Sequence, residues 1–253
     1  KILEEEKPDY FIVAFDVKHP TFRHEMYQEY KGTRKGMPDE LREQVPVIQD
    51  VLRAMHVPLV MQKGYEADDL LGTIAGMPEV QGMDVSIISG DRDLLQLATE
   101  KVKIRIPKTK RTGTEIEDYY TSDVVARYQV TPTEFIDLKA LMGDTADNIP
   151  GVPKVGEKTA TELIRTYHSV ENLYDHIDEI TKKAVKESLI NNRKLADLSK
   201  DLATIRTDSD VELDKDKARI HNFYTEDAYK ILKKLEFKNL LSRFEKKVSH
   251  DEL

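Results

Sequence analysis

The sequence predicts an α/β fold, a mostly parallel sheet flanked by helices, followed by an all-α region. In the first half, short apolar runs of β type alternate with helical patterns, and such alternation implies parallel strands joined by right-handed crossovers. After about residue 117 the pattern changes to helix after helix. In addition, acidic residues follow four of the apolar runs, and in open α/β sheets ligands bind beyond the carboxyl ends of strands.

The elements follow in order. Residues 3–7 read as the end of a helix, and a strand–helix unit is expected before Lys1. Residues 10–15 (YFIVAF) read as a buried strand. Leu41, Val45, Ile48, Val51, Leu52 and Met55 recur at helical spacing over 39–55, where Pro46 is a potential kink. Residues 57–61 (VPLVM) give a second strand, 67–75 a helix, and 83–88 a third strand. A short helix is expected over 93–98, and 102–106 (VKIRI) alternates as a fourth strand. Thr131, Pro132 and Glu134 form a capping box with proline at the first helical position, opening a helix that runs to about Met142. A Gly/Pro-rich stretch over 143–158 precedes a helix over 159–167. Further helices are expected over 170–177, 181–191, 193–205 and 225–237, with an acidic connector over 208–216.

At 253 residues the chain is long enough for one large or two small domains, and division is expected at 1–120 and 121–253. With no cysteine there is no disulfide, thiolate metal site or cysteine nucleophile. No apolar stretch approaches the length of a membrane span, so no membrane partner is expected. Residues 1–7 are mostly charged and do not read as a signal peptide. Residues 250–253 spell HDEL, an endoplasmic-reticulum retention signal. Without an entry signal, chance or a boundary within a longer protein is the better reading. The net charge of −8 argues against nucleic acid, yet the basic residues cluster. Residues 101–111 carry six cations and no acid, and Arg23, Lys31, Arg34 and Lys35 form a second group. A basic rim around an acidic pocket would suit a phosphate backbone.

Three motifs carry chemistry. The acids are Asp16; Glu66, Asp68 and Asp69 (YEADD); Asp91 and Asp93 (SGDRD); and Asp144 and Asp147 (GDTAD). Each group alone reads equally well as helix caps and turns. Together they would form a negative hole suited to hard Mg²⁺ or Mn²⁺ ions. In residues 149–160 (IPGVPKVGEKTA), Gly151 and Gly156 bracket a tight hairpin before a helix. The first amides of that helix could hold a phosphate, assisted by Lys158 and Thr159, with Lys154 nearby. Backbone contact of this kind is insensitive to base sequence. In residues 22–34, Arg23, Tyr27, Tyr30, Lys31 and Arg34 fall on helical spacing, and interleaved cations and aromatics can hold a phosphate and stack a base. An amphipathic helix packing its tyrosines explains that spacing equally well.

These stretches resemble the 5′-nuclease (flap endonuclease) family, most closely the 5′→3′ exonuclease domain at the N-terminus of bacterial DNA polymerase I. The matching text is VAFDVKHPTFRHEMYQEYKGTR, GYEADDLLGTIA, SIISGDRDLLQL and LKALMGDTADNIPGVPKVGEKTATELI, with LEFKNLLSRF towards the end. The resemblance implies a PIN-like core with a helical arch and a helix–three-turn–helix (helix-hairpin-helix) DNA-binding region. It assigns Asp16, Glu66, Asp68 and Asp69 to a first metal site and Asp91, Asp93, Asp144 and Asp147 to a second. Arg23, Tyr30, Lys31 and Arg34 match the arch, where Lys31 and Arg34 would contact the scissile phosphate. Gly151, Val152, Val155 and Gly156 match the hairpin, whose carbonyls hold K⁺ against the DNA backbone in relatives.

The implied activity is two-metal-ion hydrolysis of DNA phosphodiester bonds, on 5′-flap, nicked or gapped duplexes, in replication (RNA primer processing) and repair. A monomer in the bacterial cytoplasm, associated with the nucleoid, is implied, with a polymerase domain following in the parent chain. One departure stands out: the family begins with a strand ending in an Asp ligand, and this sequence lacks that segment. Two other readings remain, a non-catalytic DNA-binding module and a PIN-type ribonuclease. The glycine hairpin tells against the second.

Overall fold

The computed structural model describes the backbone of residues 1–251 and the side chains of residues 1–245. The HDEL tetrapeptide therefore lies outside the described side chains. In chain order the elements are α1 (Ile2–Glu6), β1 (Val13–Ala14), α2 (Phe22–Met26), α3 (Asp39–Ala54), β2 (Leu59–Val60), α4 (Ala67–Ala75) and β3 (Val85–Ile88). A 3₁₀ turn (Arg92–Leu97) leads to β4 (Val102–Lys110), β5 (Gly113–Tyr119), α5 (Thr121–Tyr128) and α6 (Pro132–Met142). Then come α7 (Glu157–Tyr167), α8 (Val170–Asp175), α9 (Lys183–Asn191), α10 (Arg193–Ala203), α11 (Lys215–Ala218), α12 (Glu226–Lys234) and α13 (Lys238–Asp251).

The chain forms two compact units, neither continuous in sequence. The first comprises residues 1–17, 35–62 and 211–253. Its β1 and β2 pair in parallel, Val13 beside Leu59 and Ala14 beside Val60. Its core joins Ala228 and Leu232 of α12 to Phe244, with Val51 and Ala54 of α3 and the adjoining Met55 packed against them. Helix α3 continues through Pro46.

The second unit comprises residues 18–34 and 63–210. There β3 pairs in parallel with β4, and β4 pairs antiparallel with β5. The main core gathers Ile87, Leu94, Ile104 and Val124 with Phe135, Leu138 and Leu141 of α6 and Ile164 of α7. Helix α6 buries Phe135, Asp137, Leu138, Ala140 and Leu141, so it is packed on several sides. The expected capping box opens it: Glu134 N donates to Thr131 Oγ1 at 3.2 Å, and Thr131 N donates to Glu134 Oε1 at 2.9 Å.

Parallel pairing of the first strands and the helical second half are as expected, but the described strands form two sheets, β1–β2 and β3–β4–β5. Two local readings are corrected. Residues 113–119, where no strand was expected, form β5 ahead of the helical half, and this hairpin changes the meaning of the basic run over 101–111. Arg105 Nε donates to Asp118 at 2.8 Å, and Lys108 and Lys110 pair with Glu117 and Glu115 across the ladder. Opposite charges facing each other on neighbouring strands stabilise the hairpin, so these cations are neutralised at home.

The helix expected over 22–34 ends at Met26, where Tyr27 turns extended, with φ −149°. Successive tight turns follow, closed by Gly32 N to Glu29 O at 2.8 Å and Arg34 N to Lys31 O at 3.0 Å. Tertiary hydrogen bonds hold this loop against residues 147–148. Lys31 N donates to Asp147 O at 2.8 Å, and Asn148 Nδ2 donates to Glu29 O at 2.7 Å. Lys31 itself sits in the left-handed region, with φ 56°.

Candidate active site

Seven of the eight predicted acidic ligands lie in the second unit: Glu66, Asp68, Asp69, Asp91, Asp93, Asp144 and Asp147. Asp16 follows β1 in the first unit. Glu66 and Asp69 cap α4 reciprocally, and Glu66 N donates to Asp69 Oδ2 at 3.0 Å. Asp91 caps the 3₁₀ turn by accepting Asp93 N at 2.9 Å. Asp144 accepts Ala146 N at 2.8 Å in the loop after α6. Local capping and convergence are thus both present.

One carboxylate oxygen from each of Asp93, Asp144 and Asp147 lies within 4.8 Å of the other two. Asp147 is 4% exposed, and Asp93 Oδ1 is buried without a hydrogen-bond donor. Lys139 Nζ stands 2.8 Å from that oxygen, off hydrogen-bond geometry, and donates to Asp144 Oδ2. Burial pushes the Asp93 carboxyl up to about 6, against the pull of Lys139 and helped by nearby Asp91 and Asp147. Burial also raises Asp147, in spite of Lys31 and Arg34. For Asp144 the effect of burial is outweighed by Lys139, and its carboxyl is held below the ordinary value. Oxygen-only donors this close, with Asp93 Oδ1 buried and held only by its ion pair with Lys139, fit a hard divalent cation.

Glu66 lies among cations. It accepts Arg23 Nη1 at 2.6 Å, Tyr30 Oη at 3.0 Å and the Lys31 ammonium. Burial would raise its carboxyl, but Arg23 and Lys31 outweigh burial and lower it. Arg34 donates to Asp147 and, at 3.0 Å, to Ala146 O. Lys31 and Arg34 thus stand beside the carboxylate cluster, each on an acid.

Arg23 and Asp69 depart from their expected roles. Arg23 is 3% exposed and uses all its N–H groups inside the protein. Nε donates to Leu202 O at 2.9 Å, Nη2 to Thr204 O at 2.8 Å, and the two Nη atoms fork onto Asp69 at 2.8 and 2.9 Å. No N–H remains for a DNA phosphate, so the arch assignment of Arg23 is corrected to a structural clamp. Asp69, fully buried, also accepts Arg206 N at 2.8 Å. Its oxygens are engaged in holding Arg23 and two backbone amides.

The hairpin connects directly to the acidic loop. Gly143 (φ 73°) and Gly151 (φ 62°) stack backbone on backbone; a Cβ on Gly151 would fall 2.4 Å from Gly143 N. Gly151 N donates to Ser199 Oγ of α10 at 2.9 Å. The side chains of Val152 and Val155 are buried, and Val155 N donates to Val152 O at 3.1 Å. Gly156 caps α7, a side chain there would meet open space, and Lys154 and Lys158 are exposed while Thr159 is half-buried. The residue that sequence reasoning missed is Lys139. Its signal was a lone cation in the apolar run LKALM just before GDTAD.

Acids following short parallel-paired strands, continued by helices beyond a glycine hairpin, place the chain in a resolvase-like class. The chain belongs to the 5′-3′ exonuclease family. Residues 1–129 match its N-terminal resolvase-like domain and residues 130–226 its C-terminal SAM fold. It is 46% identical to DNA polymerase I of Bacillus caldotenax, over 100% of this chain and 28% of that protein. The chain thus spans about a quarter of the length of the curated relatives it matches. It superposes on the 5′-exonuclease of bacteriophage T5 with bound zinc, at TM-score 0.69 and 25% identity, covering 98% of this chain and 86% of that one. A T5 flap endonuclease in a pseudo-enzyme–product complex with DNA and metal ions matches with TM-score 0.68, 25% identity and the same coverage. Among the described residues no helix is long and apolar enough to cross a membrane.

Proposed function

We propose that this chain hydrolyses DNA phosphodiester bonds as a structure-specific 5′→3′ exonuclease and 5′-flap endonuclease. The observation that carries the reading is the Asp93–Asp144–Asp147 cluster, with oxygens within 4.8 Å of one another, flanked by Lys31 and Arg34. Asp93, Asp144 and Asp147, with Asp91 alongside, would hold one Mg²⁺ or Mn²⁺; Glu66 and Asp68 are proposed for a second. Bound ions of this kind acidify water and offset charge on a leaving oxygen.

The chain's own groups supply the rest. Lys31 and Arg34 present positive charge where it would develop on the phosphoryl oxygens. Their acids, Glu66 and Asp147, aim them at the cluster before substrate arrives. Tyr30, hydrogen-bonded to Glu66, fixes the base of that loop. Gly151, buried and bonded to Ser199 Oγ, braces the hairpin and does not face DNA as expected, whereas the amides at the start of α7, with Lys154, Gly156, Lys158 and Thr159, would grip the duplex through its phosphates. The carbonyls of Val152 and Val155 are the proposed K⁺ ligands there. No covalent intermediate is needed, and the product would carry a 5′-phosphate.

The T5 complex with DNA and metal ions supports this reading, as do the DNA polymerase I relatives, and the proposal extends to primer removal and repair beside a polymerase domain. We further propose catalysis within residues 1–120 and duplex binding by residues 121–253, with Asp144 and Asp147 reaching back from the second part, in a monomer of the bacterial nucleoid. Asp93→Ala and Asp147→Ala should each lower Mg²⁺-dependent cleavage of a 5′-flap DNA by at least about 100-fold, the scale of losing a transition-state charge stabiliser. Undiminished cleavage by both variants would falsify the assignment. Binding of flap DNA without any cleavage would favour the non-catalytic module.

A further inference from the structure

We propose that Lys139 is a positioning residue of the metal centre: its ammonium ties Asp93 to Asp144 and weakens the pull of the cluster on divalent cations. The inference rests on the metal-centre reading above and adds a residue to it.

The argument starts from placement. Lys139 lies on α6, a largely buried helix, and its side chain is 13% exposed. Burying a lysine is costly unless its charge is matched. The match comes from two different segments, the 3₁₀ turn that carries Asp93 and the loop that carries Asp144, and Lys139 links them with one ammonium. The other polar residue of the buried face, Asp137, is separately satisfied by Val170 N at 2.9 Å and Lys200 at 2.8 Å. Lys139 therefore has no part in that neighbouring network.

Electrostatics gives two opposed effects. Carboxylates with oxygens within 4.8 Å of one another repel, and a central cation offsets that repulsion, keeping the cluster assembled without metal. The same charge opposes an arriving dication. An ammonium suits both tasks because it is a compact charge with three rotatable donors on a flexible stem. It can release one carboxylate while keeping the other, which the planar fork of an arginine does poorly. A merely structural lysine predicts that its removal loosens the site and weakens metal binding. Lys139 as a resident counter-charge predicts the reverse.

The test uses the full chain, stripped of metal. Mn²⁺ binding is followed by calorimetry and thermal unfolding is recorded in EDTA and in Mn²⁺, for wild type, Lys139→Met, Lys139→Gln and Asp147→Asn. Both neutral Lys139 variants should melt lower than wild type in EDTA, gain more from Mn²⁺, and bind Mn²⁺ about tenfold more tightly. That is the scale of a unit charge roughly 5 Å from a dication even at the dielectric constant of water. Unchanged or weaker Mn²⁺ binding by both variants, while wild type binds and Asp147→Asn loses affinity, overturns the inference and leaves the metal centre standing. A wild type that binds no Mn²⁺, or an Asp147→Asn variant that binds as well as wild type, overturns the centre and this role together.

Discussion

Arg23 illustrates how far a single residue's role depends on its surroundings. In the sequence it is one of several cations at helical spacing, and DNA contact was a fair expectation. In the folded chain its guanidinium joins α4, through Asp69 and Glu66, to the end of α10 through Leu202 and Thr204. A planar fork suits this task, since it satisfies a carboxylate bidentately and still reaches two carbonyls. Breaking a buried pair strands the partner's charge. Arg23→Met should therefore cost about 3–5 kcal/mol, because Asp69 is fully buried. Urea unfolding at neutral pH measures this, and a loss below about 1 kcal/mol would show that Arg23 is not the clamp. Arg23→Lys should not restore full stability, because an ammonium lacks the fork.

At the scale of elements, the β4–β5 hairpin shows what periodicity could and could not reveal. Strand β4 was visible from its alternation, but β5 (GTEIEDY) has few apolar residues and reads as loop. Its identity comes from its partner: Glu115, Glu117 and Asp118 lie opposite the cations of β4. Charge complementarity across strands was the available signal, and hydropathy hides it. The buried helices and the α6 capping box, by contrast, were legible because local chemistry and tertiary packing agree there. The loop over 27–34 was misread as helix because its hydrogen bonds run to residues 147–148, which no local pattern encodes. The hairpin's polar network also makes a pH prediction. Hydrogen bonds from Lys108 and Tyr119, with Arg92, hold the Glu117 carboxyl down to about 2 from an ordinary 4.5. A depressed carboxyl contributes stability that is present above the unfolded value of 4.5 and lost as pH falls through about 2. Glu117→Gln should thus be less stable than wild type at pH 6, and the gap should close between pH 4.5 and 2. Urea midpoints across that range test it, and a gap independent of pH would refute the linkage.

Across the whole molecule the problem is that a chain of net charge −8 is proposed to bind a polyanion. Arg105, Lys108 and Lys110 of the β4–β5 hairpin do not solve it, being matched by acids of β5. Nor do Lys31, Arg34 and Lys139 as they stand, since each is paired with a carboxylate of the candidate site. These cations are therefore engaged by the site's own acids, and positive potential must come from elsewhere. Divalent cations would supply it twice over, by cancelling the carboxylates and by releasing Lys31 and Arg34 from Glu66 and Asp147 towards phosphate. Metal and DNA binding should then be linked, each raising affinity for the other by the same factor. A 5′-flap DNA with an uncleavable scissile linkage, titrated by fluorescence anisotropy at constant ionic strength, should bind more tightly in Ca²⁺ than in EDTA. A gain of about 5–150-fold corresponds to ordinary coupling energies. In a Lys31→Ala, Arg34→Ala double variant only the cancelled carboxylates remain, so the gain should shrink without vanishing. Equal affinity of the wild type in Ca²⁺ and EDTA would mean that these acid–base pairs do not exchange partners and that the duplex is held by the hairpin alone.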